Sequence, residues 1–190
     1  MKFKVEDVKP LGIINVENET VFAIDPCYEL CQGTELHVKN GNWFALVESG
    51  RTGWGVRTWG ISIFHSSQFD SIADDNFYFN PKKYWKIVEQ LSRVGITGVD
   101  SGQSGFFLSS KPCDNNEDFD NLEGWYGSVC RVSSGGAVVP HGAVSCSGFG
   151  DGCYDVSVLK NKLAQVVVAR IEFINESEWE DEDDWENEEE

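Results

Sequence analysis

The chain has 190 residues and a formal net charge of −17 at pH 7, and 41% of its residues are hydrophobic. This composition is typical of a globular protein and excludes disorder along the whole chain. Eleven of the negative charges lie in residues 176–190, which contain no basic residue, so residues 1–175 carry only −6. The acidic balance disfavours direct binding to nucleic acid, because phosphates would be repelled.

The chain shows no targeting segment and no run long and apolar enough to span a membrane. We therefore expect a cytoplasmic protein without membrane association, in a compartment where thiols stay reduced. The six cysteines and three histidines lack the spacing of a zinc site, so we expect free thiols and predict no metal bound to them.

Strands are predicted first at Lys2–Val5, Leu11–Val16 and Thr20–Ile24. The third ends before Asp25-Pro26, because proline cannot donate a hydrogen bond to a strand ladder. Asp25 thus follows a strand directly, where a carboxylate typically caps nearby amides. Ligand binding is the alternative role for this side chain.

The dipeptide Asn40-Gly41 predicts a hairpin between Glu35–Lys39 and Trp43–Glu48. A segment rich in glycine and tryptophan follows and leads into a strand at Ile61–His65. It interleaves cations with indole rings, at Arg51, Trp54, Arg57 and Trp59. Such a pattern can bind a nucleic-acid strand, but the negative charge of the chain favours stacking of arginine on tryptophan at a β surface.

One strong helix is predicted over about 81–94. Asn80 is a good N-cap, Pro81 suits the first helical position and Gly95 would end the helix. One apolar face is expected to pack on a sheet: Tyr84, Ile87, Val88, Leu91 and Val94. A second, weaker helix is predicted over about 122–132.

Two glycine-rich stretches, residues 98–107 and 143–158, are expected to meet in space. The second contains Asp151-Gly152 between two β-prone flanks, which predicts a hairpin there. Ala164–Ile174 predicts the final strand, and the continuous apolar run Val166–Val168 places it in the centre of a sheet.

Four ordered blocks resemble the bacterial and phage domain-of-unknown-function family numbered 4241. They read G-V-D-S-G-Q-S-G-F-F (98–107), W-Y-G-S-V-C (125–130), S-G-F-G-D-G-C-Y-D-V-S-V (147–158) and V-V-A-R-I-E-F-I (167–174). The resemblance covers roughly residues 20–174. It departs at Asp155, where family members often have proline, and in the acidic tail. It implies a fold and the location of a site, but no reaction.

The candidate ligand-binding residues lie on the glycine-rich stretches and beside them: Asp25, Asp100, Ser101, Gln103, Ser147, Asp151 and Tyr154. Carboxylates on glycine loops can hold Mg²⁺ or Ca²⁺, and such an ion at Asp100 and Asp151 could activate water. A metal-dependent hydrolase acting on a phosphoester or nucleotide is therefore the alternative function. Aspartate before glycine is also common in tight turns, so the first prediction is that the protein binds no cofactor.

Residues 176–190 are expected to form an acidic tail that is disordered when free, with Trp179 and Trp185 as aromatic anchors. Such a tail can engage a protein partner with a basic surface or merely keep the protein soluble.

The overall prediction is an α+β chain with one globular domain over residues 1–175, dominated by antiparallel β-sheet. Its predicted function is that of a non-enzymatic cytoplasmic interaction protein, in the setting of a phage or mobile element that acts on a host factor.

Overall fold

The computed structural model describes residues 4–69, 81–111, 127, 129 and 135–175. Within this part of the chain, eleven strands and one α-helix are described from end to end, and Gly127 and Val129 are also helical. The strands are β1 (Lys4–Val16), β2 (Thr20–Ile24), β3 (Thr34–His37), β4 (Gly41–Thr52), β5 (Gly55–His65), β6 (Ser92–Val99), β7 (Gln103–Leu108), β8 (Ala137–Val139), β9 (Gly142–Cys146), β10 (Gly152–Lys160) and β11 (Val166–Glu172), and the helix is α1 (Pro81–Val88).

The strands form two antiparallel sheets. Sheet A has the order β1-β4-β5-β11-β10-β6, and sheet B has the order β3-β2-β7-β9-β8. Apolar side chains of both sheets share one buried cluster, to which sheet A contributes Trp43, Trp59 and Ile61 and sheet B contributes Val21 and Phe106. Burying a side chain of this size stabilises the fold by about 1.5–3 kcal/mol. The predicted β-rich chain with antiparallel pairing is thus confirmed, and β11 has the central place expected of it.

Helix α1 packs on the outer face of sheet A. Tyr84 is buried there with Leu46, Phe64 and Val168, so the predicted packing of an apolar helix face on a sheet is confirmed. The predicted length is wrong, because the helix ends at Val88 and β6 begins at Ser92. Strand β6 pairs with β10, and its β-branched residues suit a strand. Val94, expected on the buried helix face, is instead 44% exposed.

A buried charged network lies beneath α1. Glu48 of β4 is fully buried and accepts two hydrogen bonds from Arg170 of β11, at 2.7 and 2.8 Å. The Tyr84 hydroxyl also donates to Glu48 and lies 2.8 Å from the hydroxyl of Ser62. Burial lowers the pKa of Arg170, but the charge and hydrogen bonds of Glu48 together with the charge of Glu172 outweigh it and raise that pKa overall. The network therefore ties the helix to three strands of sheet A.

Both predicted glycine hairpins are wrong. Asn40-Gly41 links β3 of sheet B to β4 of sheet A, and Asp151-Gly152 links β9 of sheet B to β10 of sheet A. An Asn-Gly or Asp-Gly dipeptide indicates only the local backbone conformation. Strand pairing is decided instead by which neighbouring strand allows the apolar face to be buried. Among the hairpins that do form, one joins β4 to β5, with Thr52 paired to Gly55.

The second predicted helix, about 122–132, lies outside the described residues except for Gly127 and Val129, and the tail 176–190 lies outside them entirely. In the parts of the chain that the structure describes, no helix is long and apolar enough to cross a membrane.

Candidate functional site

The two glycine-rich stretches meet, as expected from the sequence. Gln103 of β7 pairs with Cys146 of β9, and Val99 of β6 pairs with Gly152 of β10. The backbone N–H of Ser147 donates to the carbonyl of Gly102 at 3.0 Å. The loops after β6 and before β10 therefore share one end of the two sheets.

Asp25 acts as a clamp inside this region. Its side chain is fully buried, and its carboxylate accepts hydrogen bonds from the backbone N–H groups of Cys27 at 2.7 Å and of Asp100 and Ser101 at 2.8 Å. The hydroxyl of Ser101 adds a fourth bond at 2.7 Å. This geometry matches the capping role, because one buried carboxylate satisfies three part-buried backbone amides.

Beside the clamp, Asp100 accepts a hydrogen bond from the hydroxyl of Tyr28. That bond is the main cause that raises the pKa of Tyr28 to about 12. Burial, with the hydrogen bond and charge of Asp25, also raises the pKa of the Cys27 thiol to about 12. Cys27 therefore stays protonated at neutral pH and is a poor nucleophile.

Ser147 and Tyr154 hold the loop at residues 147–150 rather than facing outward. The Ser147 hydroxyl donates to the carbonyl of Gly150 at 2.7 Å, and the Tyr154 hydroxyl bridges the carbonyls of Ser147 and Gly150 at 3.0 and 2.7 Å. Partial burial raises the pKa of Tyr154. These two predicted ligand residues thus give the loop a fixed shape.

The remaining predicted residues are placed differently. Asp151 is exposed, and the buried side-chain oxygen of Gln103 has no hydrogen-bond partner. Asp100 and Asp151 each lie one residue beyond the ladder pair Val99–Gly152. Among the described residues, no group of three His, Cys, Asp or Glu side chains could hold a metal ion.

The described cysteines, Cys27, Cys31, Cys146 and Cys153, are free thiols, as expected. Cys113 and Cys130 lie outside the described residues.

A surface cleft of about 430 Å³ opens beside the loop that Tyr154 holds. It lies between the start of β5 and residues 147–150, and its lining consists of Val56, Arg57, Thr58, Gly102, Gly135, Cys146, Ser147, Gly148, Phe149 and Gly150. At its side the rings of Trp54 and Phe149 meet edge to face, with centroids 5.5 Å apart. The cleft therefore combines an arginine with exposed aromatic surface.

The described chain ends next to this cleft. Gly148 has a φ of +66°, and a Cβ placed there would lie 3.1 Å from the Cβ of Phe173 and 3.2 Å from the Ile174 side chain. Phe173 and Ile174 are fixed in turn, because their backbone N–H groups donate to the carbonyl of Trp59 at 2.9 and 3.2 Å. Ile174, one residue before the end of the described chain, thus packs against a glycine of the cleft lining.

Sequence reasoning missed the cleft, although it singled out the segment that contains Trp54 and Arg57. The pattern of cations and indoles did not distinguish the two tryptophans. Trp59 is buried in the core, whereas the ring of Trp54 meets that of Phe149 edge to face. The cleft joins residues about ninety positions apart, and the only local signal was glycine at every second position from Gly148 to Gly152.

Comparisons with protein-family models, curated protein sequences and solved structures found no match. The resemblance to the family numbered 4241 therefore stays a prediction.

Proposed function

We propose that this chain is a non-enzymatic binding protein whose partner is a protein with a basic surface. The acidic tail and the cleft beside the glycine loops together form the contact surface. The observation that carries the proposal is the packing of Ile174, one residue before the end of the described chain, against Gly148 of the cleft lining.

The charge of the tail supplies attraction at a distance. Eleven carboxylates within fifteen residues create a strongly negative field, and complementary charge mainly raises the association rate and selects the partner. Exposed charges are screened beyond about 8 Å at physiological salt. Partner binding should therefore weaken markedly as the salt concentration rises.

The alternative, a hydrolase that holds Mg²⁺ or Ca²⁺ at Asp100 and Asp151, has less geometric support. Asp25 already accepts four hydrogen bonds from the protein, and Asp100 accepts one from Tyr28. Asp25 would have to give up some of these bonds to bind an ion, because both of its oxygens already accept hydrogen bonds. Asp100 and Asp151 are both exposed, whereas Asp25 is buried.

Affinity capture from a host lysate tests the proposal. The bait is the full chain, and the comparison is a neutral-tail variant in which every Glu of residues 176–190 becomes Gln and every Asp becomes Asn. We expect the full chain to retain a basic protein that high salt elutes and that the neutral-tail variant does not retain. Retention of the same protein by both baits would contradict the proposal.

A further inference from the structure

We propose that the cleft beside residues 147–150 binds a small organic carboxylate that carries an aromatic ring. The carboxylate would pair with the guanidinium group of Arg57, and the ring would lie against Val56 and Phe149, which also line the cleft. The inference goes beyond the proposed function and does not rest on it, because it uses only the described fold and requires no protein partner.

The cleft has the size and the lining of a small-molecule site. Its volume of about 430 Å³ lies within the range of about 300–1,000 Å³ that is usual for ligand pockets. Val56, which is 58% exposed, and Phe149, which is 42% exposed, supply apolar surface to the lining. Ligand pockets combine mainly apolar walls with a few polar groups that orient the ligand. Among the described residues of the lining, Arg57 alone carries a charge.

Arg57 is suited to receive a carboxylate. Its Nη1 donates to the carbonyl of Val56 at 3.2 Å, so the guanidinium group is held beside another residue of the lining. In the part of the chain that the structure describes, no carboxylate forms an ion pair with Arg57. A guanidinium group has five N–H donors in one plane and can bind both oxygens of a carboxylate. Because Arg57 is half-buried, water would screen this pair less than on an open surface.

The charges of the fold favour a ligand with a single negative charge. Residues 1–175 carry a net charge of −6, and Asp151, directly after the loop, is exposed. One arginine balances one carboxylate. A phosphate group carries about −1.5 to −2 charges, and Asp151 and the rest of the fold would repel the surplus. A cationic ligand would be repelled by Arg57 itself. A carboxylate therefore fits the cleft better than a phosphate or an amine.

The aromatic wall of the cleft is held in place before a ligand arrives. The hydroxyls of Ser147 and Tyr154 bind carbonyls of the loop that carries Phe149, and the ring of Trp54 meets that of Phe149 edge to face. A preformed site loses little side-chain entropy on binding. Aromatic rings attract one another in stacked and edge-to-face arrangements, so we expect an aromatic ligand rather than an aliphatic one.

Titration of the full chain, followed by ¹H–¹⁵N NMR, tests the inference with three probes that share one ring system: 2-naphthoate, 2-naphthyl phosphate and 2-naphthylmethylamine. We expect naphthoate to shift the amide signals of residues 148–150 and the indole N–H signal of Trp54. It should bind at least about tenfold more tightly than the other two probes. Arg57→Gln should weaken naphthoate binding at least about tenfold. The matched control Arg93→Gln, at an exposed arginine that pairs with Asp155, should bind naphthoate like the wild type. Unchanged signals elsewhere in the spectra would show that both variants are folded.

The contrary outcomes are distinct. Absence of these shifts at millimolar naphthoate would overturn the inference. Equal binding of naphthoate by the wild type and by Arg57→Gln would also overturn it, because the arginine would then not recognise the carboxylate. Tighter binding of naphthyl phosphate would contradict the choice of a carboxylate. Phe149→Ser should weaken naphthoate binding as well, and undiminished affinity of that variant would contradict the place given to the ring. None of these results depends on the tail, so the proposed function is tested separately by the neutral-tail variant.

Discussion

Asp25 and Ser101 are joined by two hydrogen bonds, one from the backbone N–H of Ser101 at 2.8 Å and one from its hydroxyl at 2.7 Å. This contact closes the turn after β6 onto the end of β2, across 76 positions of sequence. Because this buried carboxylate accepts hydrogen bonds from three backbone amides and a hydroxyl, its role is structural, and the turn after β6 depends on it.

Replacing Asp25 with Ala should lower the free energy of unfolding by about 3 kcal/mol or more, because four hydrogen bonds to a buried carboxylate are lost and a bond to a charged group contributes about 1.5–3 kcal/mol. Urea denaturation measures the loss. Asp151→Asn is the control, since an exposed side chain should change stability by no more than about 0.5 kcal/mol. Equal stability of the two variants would show that Asp25 is not a structural clamp.

Because Glu48 and Arg170 form a buried ion pair, removing one of the two charges should greatly lower the free energy of unfolding. Arg170→Met leaves Glu48 buried without its cation and should cost about 3–5 kcal/mol of unfolding free energy. Arg93, whose pair with Asp155 at 2.8 Å is exposed, offers the control on the same sheet. Arg93→Met should cost about 0–1 kcal/mol. Similar losses from both variants would contradict the role given to the network.

The buried environment of His65 predicts that the folded protein loses stability in mild acid. Burial lowers its pKa from the ordinary value of 6.5, so below about pH 6.5 the unfolded chain binds a proton that the folded protein does not. The unfolding free energy should therefore fall as the pH falls from about 7 towards the lowered pKa. Chemical denaturation across this range should show a smaller fall for His65→Gln than for the wild type. His37→Gln, at an exposed side chain, should behave like the wild type, and an identical pH profile for all three proteins would refute the prediction.

The thiols should differ in reactivity. Because burial and Asp25 raise the pKa of Cys27 to about 12, its thiolate is scarce at about pH 8. Iodoacetamide labelling followed by peptide mass spectrometry should modify exposed Cys31 and Cys153 at least about tenfold faster than Cys27. Labelling in denaturant should remove the difference. Fast labelling of Cys27 in the folded protein would contradict the assigned environment.

Local sequence signals predicted individual strands well. Thr20–Ile24 matches β2 residue for residue, because an apolar run stopped by Pro26 is itself enough to bound a strand. The apolar Val166–Val168 indicated a central strand for the same reason, since both faces of β11 are covered.

The sequence pattern could not predict the features that depend on contacts between residues distant in the chain. Asn40-Gly41 suits a tight turn, but β3 and β4 belong to different sheets, so the local preference did not decide the pairing. Helix α1 stops at Val88 because the following residues gain a ladder with β10. The patch of Trp54, Val56 and Phe149 arises only when the β4–β5 hairpin approaches the loop that Tyr154 holds.

A direct titration tests whether this protein binds basic partners. A lysine peptide and a glutamate peptide of equal length are each titrated by anisotropy into the full chain and into the neutral-tail variant. The full chain should bind the lysine peptide and not the glutamate peptide, and neutralising the tail should weaken that binding by at least about tenfold, or about 1.4 kcal/mol. Equal affinity of both proteins for the lysine peptide would contradict the proposed function.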